Sequence, residues 1–224
     1  MKTLLILQAR TGSKRFPNKV LKKVCGFPVI SIILKRLSFS KKVDKIILAT
    51  SKRKKDDKLV NLVKKSVDYY RGPEKNVLKR FYLAGLKFNP KFIVRITADC
   101  PFVNPKLIDK MISIAHIKNY SYISNVNPYT FPKGLDIEIF KFSLLKKIYK
   151  NSKNPKILEH VTFSIRRSKK IKKFNLRNNN NYSKFNICLD YHKDLEKIRK
   201  IYKEYGILNF SLKKLFYILK SKSC

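Results

Sequence analysis

The chain has 224 residues, of which 44% are hydrophobic and 12% aromatic. This length fits one α/β domain with a substantial core, and the apolar fraction excludes an intrinsically disordered protein. The 53 Lys and Arg residues outnumber 14 Asp and Glu residues, which gives a formal charge of +39. Because the lysines are spread from end to end, we interpret the charge as compositional bias, with a polyanion-binding surface as the alternative.

Apolar runs alternate with helical patterns through the first half of the chain. This alternation predicts βαβ units on a mostly parallel sheet. Strands are predicted at residues 3–8, 45–50, 67–71 and 91–97. Helices are predicted at residues 28–39, 56–66, 74–88 and 107–117.

The second half of the chain is less regular but continues without a linker. Strands are predicted at residues 120–125, 135–140, 170–177 and 185–190. Helices are predicted at residues 142–151, 156–168, 192–206 and 211–221. We therefore predict a single domain over residues 1–224, in which residues 120–180 are a candidate arm on the substrate side or for a homodimer.

The four cysteines are isolated in sequence: Cys25, Cys100, Cys188 and Cys224. They form no C-x-x-C pair and only three His accompany them, so the pattern does not favour zinc. Free thiols suit a reducing compartment, and no apolar run approaches the length of a membrane span. We expect a cytoplasmic protein without membrane insertion.

The connection directly behind the first strand is cationic, with the sequence QARTGSKRFPNKVL. In an open α/β sheet, ligands bind beyond the carboxyl ends of the strands. Gly12 and Ser13 allow backbone N–H groups to approach an anion, and Arg10, Arg15 and Lys19 can neutralise phosphate oxygens. The loop does not match the Walker pattern. It predicts a phosphate site, with a plain solvated loop as the alternative.

Carboxylates follow two other predicted strands. Asp99 ends the stretch RITAD, and Asp190 ends FNICLD. Mg²⁺ prefers oxygen ligands and commonly bridges one or two carboxylates to substrate phosphates, so both residues are candidate ligands. A turn cap is the alternative for Asp99. Asp194, four residues after Asp190, fits stabilisation of a helix N-terminus better than catalysis.

Seven motifs stand in a fixed order between residue 4 and about residue 200: QARTGSKRFPNKVL, LATS, RGPEKNVLKR, RITADCP, GLDIEIF, EHVT and LDYHKDL. In this order they resemble the cytidylyltransferase family, most closely its spore-coat polysaccharide biosynthesis (SpsF-like) branch. The resemblance implies a Rossmann-like three-layer α/β/α sandwich of the nucleotide-diphospho-sugar transferase type. CTP would lie over the N-terminal strands.

The resemblance also implies roles for individual residues. Arg10, Lys19 and Asp99 would be catalytic, and Asp99 and Asp190 would hold Mg²⁺. Asp136, Glu138, Glu159 and His160 would face the sugar. The implied nucleotide-binding residues are Gln8, Ala9, Arg10, Ser13, Arg15, Lys19, Thr50, Gly72, Asn76 and Arg80.

The activity implied is Mg²⁺-dependent transfer of CMP from CTP, or a nucleotide from another NTP, to a small sugar. The acceptor would be a nonulosonic acid or another acidic or phosphorylated sugar, pyrophosphate would leave, and the product would feed surface polysaccharide or glycoconjugate synthesis. One alternative is a glycosyltransferase of the same fold that uses a nucleotide sugar. Another is a protein that binds RNA or another polyanion, although no aromatic-rich RNA motif is present and we do not expect nucleic acid as a partner.

Overall fold

The strands of the protein form one large sheet and a small hairpin. The structure, a computed structural model, describes residues 1–208 and 211–221. The strands are β1 (Thr3–Gln8), β2 (Lys23–Val24), β3 (Phe27–Pro28), β4 (Lys45–Ser51), β5 (Asp68–Gly72), β6 (Phe92–Thr97), β7 (Tyr122–Ser124), β8 (Glu138–Lys141) and β9 (Lys173–Asn175). The large sheet has the order β5-β4-β1-β6-β8-β7-β9, and the hairpin pairs β2 with β3.

Most neighbours in the large sheet run parallel. β1 lies between β4 and β6, and β5 adds to β4, all in parallel register. Only β8, among the described strands of this sheet, runs against its neighbours β6 and β7. The carboxyl ends of β1, β4 and β6 therefore open at the same edge, and the loops that follow them meet there.

Helices cover both faces of this sheet. They are α1 (Val29–Leu37), α2 (Asp57–Val63), α3 (Val77–Phe88), α4 (Pro105–Lys118), α5 (Phe142–Asn151), α6 (Pro155–Glu159), α7 (Phe163–Arg167), α8 (His192–Tyr205) and α9 (Leu212–Ser221). One core packs under α1, α2, α4, α8 and α9. The other packs under α3, α5 and α7. The predicted three-layer α/β/α sandwich with a mostly parallel sheet is confirmed.

The central strand β1 contributes side chains to both cores, which explains its continuously apolar sequence. Leu5 and Leu7 contribute to one core, and Leu4 and Ile6 to the other. All four are fully buried. A strand covered on both faces needs apolar residues at every position, which distinguishes it from the alternating pattern of a strand with one wet face.

Two predicted elements are wrong. The helix predicted at residues 156–168 is divided into α6 and α7, because Val161 and Thr162 turn inward and are buried between them. Residues 185–190 do not form a strand. They make backbone hydrogen bonds to Lys133 and to the carbonyl of Asp99, and Gly134, with φ +106°, ends the pairing at one bridge. Their alternating pattern arises because one side packs on the core.

The hairpin of β2 and β3 is absent from the sequence prediction. Its turn places Cys25 at φ 48° and Gly26 at φ 82°, so the chain reverses tightly before α1 begins. A glycine tolerates this left-handed conformation without steric cost. Among the described residues, no helix is long and apolar enough to cross a membrane.

Candidate active site

A cationic cleft lies beyond the carboxyl ends of β1 and β6. It has a volume of about 350 Å³. Its walls bring together the loop behind β1, the end of β6 and one residue of α3, which are far apart in the chain. The lining residues are Gln8, Ala9, Arg10, Ser13, Lys14, Arg15, Lys19, Val20, Arg80, Thr97, Ala98 and Asp99.

Lys19 joins the two carboxylates that were predicted to bind a metal. Its Nζ lies 3.1 Å from Asp99 Oδ2 and 2.9 Å from Asp190 Oδ1. Burial alone would raise the pKa of Asp99, but the Lys19 ammonium and hydrogen bonds from Thr97 and Lys19 outweigh it and lower the pKa. Burial would lower the pKa of Lys19, and the two carboxylates raise it overall. Lys19 and Asp99 are therefore both charged at neutral pH.

Two arginines of the same loop lie at the cleft mouth. Arg15 Nη2 is 2.8 Å from Asp190 Oδ1, and the guanidinium lies over the ring of Tyr191. Arg10 is 3.7 Å from Glu74. Both side chains remain substantially exposed, so their remaining N–H groups face solvent and can donate hydrogen bonds to an incoming anion.

The first turn of this loop is fixed by a buried carboxylate, Asp56. Asp56 Oδ1 accepts hydrogen bonds from the Thr11 N–H at 2.7 Å and the Thr11 hydroxyl at 2.6 Å, and its other oxygen accepts from the Ser51 hydroxyl. Burial would raise the pKa of Asp56, but these hydrogen bonds lower it. The carboxylate thus ties the loop behind β1 to the end of β4.

Arg80 enters the cleft from α3 although it is only 1% exposed. Its Nη1 donates to the Pro73 carbonyl at 2.9 Å, while its Nε has no hydrogen-bond partner within residues 1–208 and 211–221. Burial, together with the nearby Arg10, lowers the pKa of Arg80 to about 10. A Cβ at Gly72 would lie 2.8 Å from Arg80 Cγ, so this glycine makes room for the buried arginine.

Three of the residues predicted to bind nucleotide are not part of the cleft wall in the described chain: Thr50, Gly72 and Asn76. Thr50 is fully buried. The Asn76 side chain accepts a hydrogen bond from the Lys79 N–H and caps α3. In this structure Gly72 and Asn76 act on Arg80, one by giving it space and the other by starting its helix.

A second cavity, the acceptor cavity, adjoins the cleft and shares Thr97 and Asp99 with it. Its volume is about 230 Å³. Its lining residues are Arg95, Thr97, Asp99, Cys100, Val126, Tyr129, Asp136, Glu138, Arg166 and Cys188. Asp99 therefore stands between two neighbouring spaces, each large enough for part of a small ligand.

Glu138, predicted to face the sugar, is the anchor of a buried network. It is 3% exposed, and it accepts from Arg95 at 2.5 Å and from the Tyr122 hydroxyl at 2.5 Å. Arg166 approaches it to 3.8 Å. Burial would raise the pKa of Glu138, but Arg95 and these other partners lower it. Glu138 therefore orients the two arginines that line the acceptor cavity.

Asp136 is the second carboxylate of this cavity. It accepts from the Tyr129 hydroxyl at 2.9 Å and from the Gly134 N–H at 3.1 Å. Burial raises the pKa of Asp136, and the nearby carboxylates of Asp99 and Glu138 add to the rise. Asp136 therefore binds protons more readily than an ordinary aspartate.

Glu159 and His160, also predicted to face the sugar, are exposed and belong to neither wall in the described chain. The EHVT motif instead buries Thr162, whose hydroxyl helps to lower the pKa of Glu138. The sequence prediction missed Arg95, Tyr129 and Arg166. Arg95 could have been recognised from the sequence as a candidate site residue, because it is the one charged residue in the apolar strand FIVRIT. We find no local signal for Arg166.

The two carboxylates beside Lys19 have the chemistry to bind a divalent cation. Asp99 and Asp190 already converge on one positive centre, the Lys19 ammonium, so their oxygens can reach a common cation. No group of three or more His, Cys, Asp and Glu side chains suited to a metal forms among the described residues. Two carboxylates suffice for Mg²⁺ when substrate phosphates and waters supply the other ligands.

An open, mostly parallel sheet with a cationic cleft at its carboxyl edge defines a class of protein that binds nucleotides. Residues 4–220 match the family model for cytidylyltransferases. The chain is 31% identical over 215 residues to the spore coat polysaccharide biosynthesis protein SpsF of Bacillus subtilis, covering 91% of this chain and 87% of that protein. This chain belongs to the cytidylyltransferase family, and it is a nucleotidyltransferase.

Two further comparisons also find similarity to cytidylyltransferases. A cytidylyltransferase structure from Leptospira borgpetersenii superposes with a TM-score of 0.95 and 30% identity, covering all of this chain and 95% of that one. The 8-amino-3,8-dideoxy-manno-octulosonate cytidylyltransferase of Shewanella frigidimarina is 30% identical over 122 residues, which is 51% of this chain and 47% of that enzyme.

Proposed function

We propose that this protein transfers CMP from CTP to a small acidic or phosphorylated sugar and releases pyrophosphate. The observation that carries the proposal is the joining of two cavities at Asp99, one cationic and one lined by mixed charges. CTP occupies the first cavity, and the sugar occupies the acceptor cavity. The name of the SpsF relative supports a product destined for surface polysaccharide.

The cations of the cleft bind and orient the triphosphate. Arg10 and Arg15 have exposed donors at the mouth, while Arg80 offers a buried N–H that no described residue satisfies. Hydrogen bonds to a charged group are stronger when water is excluded, so Arg80 is suited to hold the phosphate deepest in the cleft. Lys19 neutralises phosphate oxygens when the triphosphate draws it from its two carboxylates.

Asp99 and Asp190 are the residues that would hold Mg²⁺, which supplies positive charge against the phosphate oxygens when bound. Arg95 and Arg166 orient the acceptor in the neighbouring cavity, with Glu138 fixing both guanidiniums. A sugar oxygen attacks the α-phosphorus, and pyrophosphate leaves from the cationic side. Phosphoryl transfer depends mainly on such positioning and charge stabilisation, so no covalent intermediate on the protein is required.

Pyrophosphate release tests this proposal. Purified protein is incubated with Mg²⁺, each of the common nucleoside triphosphates and a panel of acidic and phosphorylated sugars. We expect release with CTP that depends on one acceptor class. Matched reactions without sugar measure background hydrolysis. A folded protein that releases no pyrophosphate with any pair of substrates would contradict the proposal.

A further inference from the structure

Two free cysteines that are distant in sequence meet in the wall of the acceptor cavity. Cys100 directly follows Asp99 and is 2% exposed. Cys188 precedes Asp190 by two residues and is partly exposed. Each thiol is thus attached to a segment that also carries one of the two carboxylates around Lys19.

The backbone holds these two segments side by side. The Leu189 N–H donates a hydrogen bond to the Asp99 carbonyl at 2.8 Å. Leu189 follows Cys188 and Asp99 precedes Cys100, so this hydrogen bond joins the neighbours of the two cysteines. The Cys100 and Cys188 side chains interact with each other. Cys100 Sγ also lies 3.4 Å from the Thr97 hydroxyl and 3.6 Å from Asp99 Oδ1. The shared cavity wall and the hydrogen bond between their segments make the two cysteines spatial neighbours, which a disulfide requires.

We propose that Cys100 and Cys188 form a thiol modification site, which a small disulfide such as glutathione disulfide converts reversibly into an intramolecular disulfide. Cys25, by contrast, is exposed in the turn between β2 and β3, where it lines neither cavity. The difference in exposure within the pair sets the order of reaction, because the partly exposed Cys188 is the thiol that a solute can reach first.

The chemistry is a pair of thiol–disulfide exchanges. The Cys188 thiolate attacks glutathione disulfide, forms a mixed disulfide and releases one glutathione thiolate. The Cys100 thiol then gives up its proton, and its sulfur attacks Cys188 Sγ and releases the second glutathione thiolate. The protein loses two thiol protons and two electrons, and one glutathione disulfide becomes two glutathione molecules. Excess dithiothreitol reverses both steps.

The disulfide would alter the cavity in which we propose that the sugar binds, and this consequence rests on the proposed function. It would draw Cys100 Sγ away from Thr97 and Asp99, the residues shared by both cavities. Small displacements of positioning groups reduce phosphoryl and acyl transfer strongly, so we expect acceptor turnover to fall by about tenfold or more.

The test uses the full chain with Cys25→Ser and Cys224→Ser, which leaves only the proposed pair; Cys224 lies outside the described residues. The protein is incubated with glutathione disulfide, digested without reduction and mapped by mass spectrometry. We expect one linked peptide pair containing Cys100 and Cys188, lighter by two hydrogen atoms than the reduced peptides. With Cys100→Ser in the same background, glutathione should remain attached to Cys188, and Cys188→Ser should give no linked pair.

Peptide mapping decides the modification site independently of turnover. A folded protein whose two thiols stay reduced, with no glutathione on Cys188 in the Cys100→Ser variant, would overturn it. A linked pair with unchanged acceptor turnover would overturn the effect on the cavity. If the reduced protein has no transferase activity at all, the proposed function fails, while the mapping result still stands.

Discussion

At the scale of single residues, opposite charges are concentrated around one ammonium group. Lys19 contacts Asp99 and Asp190, and Arg15 shares Asp190 with it. The Asp99 carboxylate is thereby kept ionised, and a divalent cation could take the same two oxygens, one from each aspartate. The removal of one carboxylate should affect catalysis far more than folding, because Lys19 keeps its other partner.

Replacement of Asp99 by Ala should abolish turnover and leave the fold intact. The loss of one group that stabilises charge in a transition state typically costs about 100-fold or more in rate. Pyrophosphate release measures the effect, and circular dichroism during heating measures the fold. Asp68→Asn is the matched control. Asp68 is on β5, where it pairs with Lys45 of β4 and does not line the cleft. Full activity of Asp99→Ala would remove Asp99 from the site.

Replacement of Arg80 by Met should separate stability from binding. A buried guanidinium with an unsatisfied nitrogen is costly to fold, so its removal should not lower the melting temperature. Nucleotide affinity should fall by about tenfold, because a charge-assisted contact to phosphate is lost. Calorimetric titration with CTP and thermal melting measure the two effects. Lys79→Met, on the exposed side of α3, is the control; unchanged affinity in Arg80→Met would contradict the assignment.

At the scale of elements, the loop behind β1 is held in place by a residue from another element. Asp56 precedes α2 and binds Thr11 in the loop and Ser51 at the end of β4. The cationic residues on either side of Thr11 therefore owe their position to a carboxylate that lies outside the cleft. The hydrogen bonds that Asp56 accepts are strongest while that carboxylate is ionised.

Replacement of Asp56 by Asn should reduce the free energy of unfolding by about 1–3 kcal/mol at neutral pH, because buried hydrogen bonds to a charged acceptor are lost. The lowered pKa of Asp56 sets the sign of the pH dependence. Its contribution is fully present above the unfolded value of about 3.9 and is lost as the pH falls through the lower folded value. The difference in the free energy of unfolding between wild type and variant should therefore become smaller in acid.

Denaturant titrations across this pH range measure that difference. Asp57→Asn, at the neighbouring and more exposed position, pairs with Arg71 and should cost less than about 1 kcal/mol. An Asp56→Asn variant that matches Asp57→Asn in stability at neutral pH would argue against Asp56 as the anchor of the loop.

At the scale of the whole molecule, a formal charge of +39 acts on both stability and ligand binding. The distribution of the lysines along the whole chain means that they repel one another in the compact state. The same field attracts a triphosphate to the cleft. Salt screens both effects, since the Debye length falls from about 10 Å at 0.1 M to about 3 Å at 1 M.

The melting temperature should therefore rise with sodium chloride concentration, while the affinity for CTP falls. Sodium chloride is preferable to sulfate or phosphate, because those anions could bind the cleft itself. Thermal melting without nucleotide and calorimetric titration at matched salt concentrations separate the two effects. A melting temperature that falls as salt is added would mean that attractive charge pairs outweigh the repulsion.

Much of the fold could be predicted because β1, β4 and β6 carry a local signal. Each is a short apolar run that needs no partner to be recognised. Residues 185–190 show the limit of that signal, since an alternating pattern reports burial of one side and not the presence of a neighbouring strand. The break between α6 and α7 was missed for a similar reason, because buried Val161 and Thr162 fit a helical pattern as well as a turn.

By itself, the sequence determined that cations follow the first strand and that Asp99 and Asp190 end later apolar segments, since these facts depend only on chain order. Tertiary structure decided which groups meet. The order of the sheet places β1 beside β6, so Lys19 reaches Asp99, and the passage of residues 185–190 alongside brings Asp190 to the same ammonium. It also buried Glu138 and placed Cys100 and Cys188 in the wall of one cavity, because burial and pairing depend on neighbours from distant parts of the chain.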